Sequence, residues 1–313
     1  MALSLTTGGQ GGVFTLRGNT FAGSFNVSTA PIPPTLLLDT YSGSLAAAYS
    51  FRKLRNAYTG SAIRVRRSSD NTETNIGFTA AGILDTTALT TFTGAGDGFV
   101  TVWYDQSGNG LNVSQATTAA QPKIVAVGTV FTANSKTTMQ FDATNDILLR
   151  TSSDAEVLAM DSHSSVFVHK VGAIWSNVYA VYQRRISNSN NPINYGPQGD
   201  PGSTVRTLYA WNGSAATYSS VAYQLNTQYL ENYIGNVVPG VGSMKLFRSN
   251  TNVLTSTNSM GTKSIPTNPV FTIGNWTSEF TEKYIQEVII WSTDQSSNIS
   301  AINTLVNSYY SIY

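Results

Sequence analysis

The sequence predicts an all-β sandwich with a few short helices, and three observations carry that prediction. From Phe99 onward the chain is a succession of short β-prone segments separated by Asn, Gly, Ser and Pro turns, the spacing of a sandwich. Charged residues make up 11% of the chain, against roughly 25% in ordinary globular proteins. The polar surface is therefore built from Ser, Thr, Asn and Gln, which suit strands and turns. With 313 residues, 41% of them hydrophobic, the chain can bury a large core.

Taken in order, residues 1–35 differ from the rest. They are Gly-rich, carry the short β-prone pieces Phe14–Arg17 and Phe21–Val27, and end in Pro31-Ile-Pro-Pro. Such punctuation marks a boundary, so 1–35 is expected to be an arm or attachment segment and 36–313 the sandwich. Leu45, Ala48, Phe51 and Leu54 fall at helical spacing, which predicts a short helix within 42–58. Ile63 and Val65 alternate with Arg64 and Arg66, a half-buried strand with a basic outer face. A second helix is expected near 85–93, capped by Asp85 and ended by Gly94. Strands are then expected around Phe99–Tyr104, Thr138–Asp142, Ser165–Val171, Val178–Ile186, Arg206–Trp211, Ser219–Leu225, Gln228–Ile234, Ser243–Arg248, Val270–Gly274 and Tyr284–Trp291. The segments Met244–Arg248 and Val253-Leu254, on either side of Ser249-Asn-Thr-Asn, read as a hairpin. A final helix presents Ile299, Ile302, Leu305, Val306 and Tyr309 on one face.

Composition narrows function. The formal net charge is +1, so no global field favours nucleic acid or an anionic membrane. The absence of cysteine rules out disulfides, zinc–thiolate sites and thiol catalysis. No segment approaches the roughly 18 apolar residues of a membrane span, and the first residues have neither the basic region nor the apolar run of a secretory signal.

Two stretches resemble known families. Ala48–Asn71, continuing through Val102-Trp-Tyr-Asp-Gln-Ser-Gly-Asn-Gly to Gln121-Pro, is similar to the N-terminal part of the catalytic domain of α-L-arabinofuranosidase B and to phage proteins that share this segment. Phe271-Thr-Ile-Gly-Asn and Tyr284–Trp291 resemble the closing strands of concanavalin-A/laminin-G-like domains in phage structural proteins. The resemblance implies a jelly-roll sandwich of that kind. The arabinofuranosidase part implies a carboxylate nucleophile and a carboxyl acid/base, with a pair of adjacent cysteines in the sugar pocket. This chain has no cysteine, and Glu156, Glu231, Glu279, Glu282 and Glu287 lie in no recognisable sugar-enzyme motif. No catalytic residue is therefore carried over.

The sharpest local motif is Trp103-Tyr104-Asp105 with Asn109. Read as a site, Asp105 and Asn109 bind a sugar hydroxyl or a calcium ion beside Trp103 and Tyr104. Read as a turn, they satisfy backbone groups while Gly108 and Gly110 take positive φ, a common arrangement in β proteins. Arg52, Lys53, Arg55, Arg64, Arg66 and Arg67 form a basic cluster that either meets an acidic partner or is paired by Asp70, Glu73 and Asp85. His163 and His169 lack metal-ligand spacing and read as packed or edge histidines. Trp175, Trp211 and Trp276 are candidates for sugar stacking, although most aromatics in a large β core are structural.

These readings lead to an expected function: a non-enzymatic virion structural protein of a tailed phage, a head or tail fibre or decoration protein assembled in the host cytoplasm. It is expected to form a homo-oligomer, with a trimer favoured, and to dock on other virion proteins through the arm. Host or mucus glycan is the expected ligand, with no cofactor, metal, nucleic acid or membrane partner. The alternatives are an arabinofuranosidase-like glycoside hydrolase and a soluble carbohydrate-binding module.

Overall fold

The computed structural model describes residues 35–151, 162–173, 182–186, 197–199, 205–208, 210–211, 216–217, 220–236, 243–256, 269–274 and 281–313, together with two short strands near the start of the chain. Residues 1–34 and 35–313 are separate units. In the first, β1 (Phe14–Leu16) pairs antiparallel with β2 (Asn19–Phe21), Phe14 opposite Phe21. The remainder of the expected arm, and with it the docking role, lies outside the described residues.

The second unit opens with α1 (Leu37–Thr40), β3 (Leu45–Ser50), β4 (Ile63–Arg67), β5 (Glu73–Ile76), α2 (Thr86–Thr93), β6 (Gly98–Trp103), β7 (Val113–Ser114) and β8 (Lys123–Ala126). Next come β9 (Thr129–Val130), β10 (Thr132–Ala133), β11 (Lys136–Thr137), β12 (Met139–Phe141), β13 (Leu148–Thr151), β14 (Ser162–Val171) and β15 (Tyr182–Ile186). Five short strands follow: β16 (Pro197–Gly199), β17 (Val205–Leu208), β18 (Ala210–Trp211), β19 (Ala216–Thr217) and β20 (Ser220–Ala222). The chain closes with β21 (Gln228–Asn236), β22 (Ser243–Arg248), β23 (Thr251–Ser256), β24 (Pro269–Ile273), β25 (Lys283–Trp291) and α3 (Ile299–Tyr310).

Among the described residues, sixteen strands join in one antiparallel sheet. Its path is β15-β24-β13-β7-β6-β8-β12-β25-β14-β21-β22-β23, with β3 paired to β25, β4 to β6, β5 to β4 and β9 to β8. The two ends of this path pack on each other. One core joins Val100, Trp103, Leu148, Phe271 and Ile273 to Phe167, Tyr233, Leu246, Val288 and Ile290, and Tyr49 stacks on Phe271 with ring centroids 6.2 Å apart. The result is the expected all-β jelly-roll sandwich. A second core covers the outer face of β14, β21 and β25, where Val166, Val168, Leu230, Ile289 and Trp291 meet Leu38 of α1 and Ile302, Val306 and Tyr310 of α3.

Several local expectations match the structure. Asp85 accepts a hydrogen bond from the Ala88 backbone N–H at 2.9 Å to cap α2, and Gly94 ends it at φ 59°. The β22–β23 hairpin turns on Ser249 and Asn250, at φ 48° and 67°, the doubly left-handed pair of a tight hairpin. The helix expected within 42–58 is instead the strand β3, bonded to β25 from Leu45 to Ser50. Ala46 to Ser50 are all buried, on both faces, and a short apolar run covered on both sides has no strand periodicity to read.

Candidate functional site

The loop after β6 folds around Asp105. Oδ1 accepts from the backbone N–H groups of Ala48 (2.9 Å) and Ser107 (2.8 Å). Oδ2 accepts from the Ser107 hydroxyl (2.6 Å) and the Leu111 N–H (3.0 Å). Asn109 donates from Nδ2 to the Leu45 and Ala46 carbonyls at 2.8 and 2.9 Å. Trp103 is fully buried and packs on Phe51 and Tyr49, while Tyr104 donates to Asn75 Oδ1 at 2.8 Å. Gly108 and Gly110 have φ of 97° and 72°. Asp105 and Asn109 are thus bonded to the chain's own groups; with Trp103 they brace β3 against β6 and the loop after it, while Tyr104 reaches β5.

Three arginines of the basic cluster are ion-paired, Arg52 with Glu287 at 2.7 Å and Arg64 and Arg67 with nearby acids. Arg64 meets Glu73 at 2.7 Å and Arg67 meets Asp70 at 2.6 Å, while Asp85 caps α2. Arg66 shares the face of Arg64 but departs from the expected exposure. It is 7% exposed, donates to Gln121 Oε1 and Asn71 Oδ1 at 2.7 and 2.8 Å, and lies 4.5 Å above the Phe99 ring. The register shift between β4 and β6 skips Thr101 of β6, and β4 keeps its alternation against β5, so Arg66 stays on the face of Arg64 and is buried because Gln121, Asn71 and the Phe99 ring cover it.

A different set of residues builds a charged site inside the sandwich. On β21, Tyr229, Glu231 and Tyr233 alternate toward the inner core, and Leu230 and Asn232 lie between them on the outer face. Register places Phe167 of β14 and Arg248 of β22 on either side of Glu231. His169, two residues on from Phe167, shares its face. Glu231 is completely buried. Its Oε1 accepts from Nε and Nη2 of Arg248 at 2.9 and 2.8 Å. Its Oε2 lies 2.9 Å from His169 Nε2 and accepts from the Tyr223 hydroxyl at 2.9 Å. The Arg248 guanidinium sits between two rings, 4.2 Å from the centroid of Tyr223 and 4.4 Å from that of Tyr229. Its side chain is 19% exposed, so the network reaches the surface on that side.

Burial by itself would push the Glu231 carboxyl up. The hydrogen bond and charge of His169, with the charge and hydrogen bonds of Arg248, outweigh burial and hold it below the ordinary glutamate range. Each oxygen of the carboxylate meets two of the chain's own groups.

Glu287 is the other completely buried glutamate among the described residues. It belongs to the outer face of β25, bonded to Arg52 Nε (2.7 Å) and Nη2 (2.8 Å), the Ser50 hydroxyl (2.8 Å) and the Tyr310 hydroxyl (3.2 Å). Its partners tie the sheet to α3. His163 is buried beside Tyr233, with ring centroids 5.1 Å apart. Trp175, Trp276 and the Trp211 side chain lie outside the described residues.

The Glu231 network escapes a motif search because its members are contributed by separate strands. A subtler signal was present: in the alternating strand Tyr229-Leu-Glu-Asn-Tyr233, the glutamate occupies an inward position between two tyrosines.

Residues 39–197 match the family model described as "Alpha-L-arabinofuranosidase B, catalytic", just over half of the chain. Alpha-L-arabinofuranosidase B of Aspergillus kawachii is 40% identical over 73 residues, 23% of this chain and 15% of that relative. The Aspergillus niger enzyme is 38% identical over 73 residues. A GH54 α-L-arabinofuranosidase mutant soaked with 4-nitrophenyl α-L-arabinofuranoside superposes with TM-score 0.65 at 14% identity, over 87% of this chain and 65% of that one. An arabinofuranosidase complexed with arabinofuranosyl-α-1,2-xylobiose gives 0.64 at 16% identity, over 87% and 64%. The chain therefore spans less than two thirds of the solved structures it resembles.

These similarities overturn the expectation of a non-enzymatic head or tail fibre protein of a virion: the relatives are arabinofuranosidases, and the phage resemblance finds no support beside them. The expectation rested on the phage-like resemblance, the absent secretory signal, the weakly charged surface and the lack of a carboxylate in a recognisable local motif. Strand pairing assembles Glu231, His169 and Arg248 from β21, β14 and β22, where no local motif would record it. The chain belongs to the alpha-L-arabinofuranosidase B catalytic family.

Proposed function

We propose that this chain is a glycoside hydrolase acting on α-L-arabinofuranosides, with Glu231 as the ionised carboxylate at the reacting centre. Family membership supports the reaction class. The observation that carries the residue assignment is the hydrogen-bonded grip of His169 and Arg248 on Glu231 at the inner face of the sheet. Glycosidases of this general type use two carboxyl groups, one of which must be ionised to attack the sugar or activate water. Glu231 meets that requirement. Glu287 and Asp105 have other work, the first joining the sheet to α3 and the second closing a loop.

The resemblance implied a cysteine pair in the sugar pocket, and this chain contains none. Its pocket must hold the sugar by other side chains, so its choice among arabinofuranosides need not follow that of the relatives.

The test is hydrolysis by the purified full-length chain of 4-nitrophenyl α-L-arabinofuranoside beside the corresponding xyloside, galactoside and glucoside. The arabinofuranoside should be cleaved preferentially, and Glu231→Gln should reduce its turnover by at least about a hundredfold. Failure to cleave the arabinofuranoside, or arabinan and arabinoxylan oligomers, would overturn the proposed reaction. A fully active Glu231→Gln protein would overturn the residue assignment.

A further inference from the structure

A single row of side chains crosses the outer face of the sheet, one from each of six strands. Arg66 of β4 lies opposite Phe99 of β6, and Phe99 opposite Lys123 of β8. Lys123 then lies opposite Gln140 of β12, Gln140 opposite Tyr284 of β25, and Tyr284 opposite Lys170 of β14. Val65, Val100, Met139, Ile285 and Val171 beside them belong to the inner core, so the row faces outward. Arg66 is nearly buried and the other five are half-buried, so they still reach solvent. With strands about 4.8 Å apart the row is roughly 24 Å long and one side chain wide.

Its order is cation, ring, cation, amide, ring, cation. The Arg66 guanidinium and Lys123 Nζ lie 4.5 and 5.3 Å from the centroid of the Phe99 ring. Lys170 Nζ lies 5.2 Å from that of Tyr284, and Gln140 Nε2 donates to the Tyr284 hydroxyl at 3.1 Å. The fixed partners of Arg66 are neutral, the Gln121 and Asn71 amides and the Phe99 ring. Glu73, across from it on β5, is bonded instead to Arg64. Two carboxylates border the row. Asp97 pairs with Lys123 at 2.8 Å, and Glu282 accepts from Gln140 and the Tyr284 hydroxyl at 2.8 and 2.9 Å. Three cations against two carboxylates leave the row positive.

We propose that this row is a binding surface for a linear polysaccharide with a neutral backbone and scattered uronate groups, laid across the strands from Arg66 to Lys170. A part-exposed ring packs on the C–H groups of a sugar, and a cation beside it takes the carboxylate. The narrow, extended shape of the row suits a chain. The cations stand two and three strands apart, roughly 10 and 14 Å, which matches sparse charge. A nucleic-acid strand, with a charge about every 3.4 Å, asks for a denser array. The surface is separate from Glu231, which faces the inner core, and does not rest on the role given to that residue.

Calorimetric titration of the full chain with glucuronoxylan oligosaccharides, beside the same oligosaccharides with their carboxyl groups reduced to alcohols, tests the proposal. The wild type should bind the acidic form about tenfold more tightly, from two or three contacts worth about threefold each. Added salt should weaken that binding and spare the reduced form. Lys123→Gln and Lys170→Gln should each weaken it about threefold. Asp97→Asn keeps an acceptor for the Val127 N–H but releases Lys123, and should tighten it by about the same factor. None of the three changes should alter turnover of 4-nitrophenyl α-L-arabinofuranoside. If a variant does not fold, the comparison of the acidic and reduced forms on the wild type decides.

Equal affinity for the two forms, binding to neither, or binding untouched in both lysine variants would overturn the proposal. So would equally tight binding of a single-stranded oligonucleotide, which would mark the row as a general polyanion surface. The titrations need no turnover. A wild type that cleaves no arabinofuranoside would therefore sink the proposed reaction while leaving this surface to be judged by calorimetry.

Discussion

Glu231 of β21 and Glu287 of β25 are completely buried, each ion-paired to an arginine, and they point to opposite faces of the same sheet. Phe167 of β14 fixes the geometry, since it pairs with Glu231 on one side and with Val288 on the other. Glu231 and Val288 therefore share the inner face, and Glu287, one residue earlier, belongs to the outer one. Two similar ion pairs thus have different surroundings: one is walled by tyrosines inside the sandwich, the other is sealed beneath α3.

The outer pair should matter to stability alone. Arg52→Met leaves Glu287 buried without its cation and should cost about 3–5 kcal/mol. The double variant Arg52→Met/Glu287→Met removes both charges and should cost less than the sum of the single changes. Urea unfolding measures all of these. Strict additivity would show that the two charges do not depend on each other.

Asp105 should behave as a structural keystone of the first half of the sandwich. Its two oxygens accept from three backbone N–H groups and a hydroxyl. Asp105→Ala strands several of these donors in a buried site and should destabilise by at least about 3 kcal/mol. A loss of arabinofuranosidase turnover in this variant should disappear once the measurement is made under conditions where the protein is fully folded. Loss of turnover in a fully folded Asp105→Ala protein would contradict this reading and place the loop at the substrate.

Asp146 gives a pH dependence with a definite sign. Burial first, and then the charge of Asp142, push its carboxyl up to about 7, against the opposing effect of the Asp142 backbone N–H. The ordinary unfolded value is about 3.9, so the folded state favours the acid form. The stabilisation from that proton is present in full below about pH 4 and is lost as pH rises toward 7. Asp146→Asn should therefore raise stability at pH 8 by up to about 4 kcal/mol and change it little at pH 4. Thermal or urea unfolding at the two pH values checks this. A variant less stable than the wild type at pH 8 would contradict it.

Much of the scaffold was readable in the chain. Ile63 and Val65 alternated as a strand should, Asp85 and Gly94 bracketed α2, and Ser249-Asn250 marked the hairpin. In each case the determinant is local: a period of two, a cap or a turn conformation. Leu45–Ser50 was misread because both its faces are covered, which erases the alternation that identifies a strand. Arg66 was read as exposed because the groups that cover it, Gln121 and the Phe99 ring, come from elsewhere in the chain.

The candidate site was harder to read for the same physical reason on a larger scale. His169 and Glu231 are 62 residues apart, and Glu231 and Arg248 are 17 apart. Antiparallel register brings them together, so no spacing along the chain records it. The motif that did stand out, Trp103-Tyr104-Asp105 with Asn109, is conspicuous because a turn satisfied by its own side chains needs particular residues at adjacent positions.

The most direct test of Glu231 as the reacting carboxylate is azide rescue of Glu231→Ala with 4-nitrophenyl α-L-arabinofuranoside. The variant should be folded, nearly inactive alone, and accelerated in proportion to added azide, with an arabinosyl azide as product, because the small anion takes the place of the missing carboxylate. A Glu231→Ala protein that turns over substrate at the wild-type rate without azide would contradict the assignment, as would a folded, inactive variant that azide fails to accelerate.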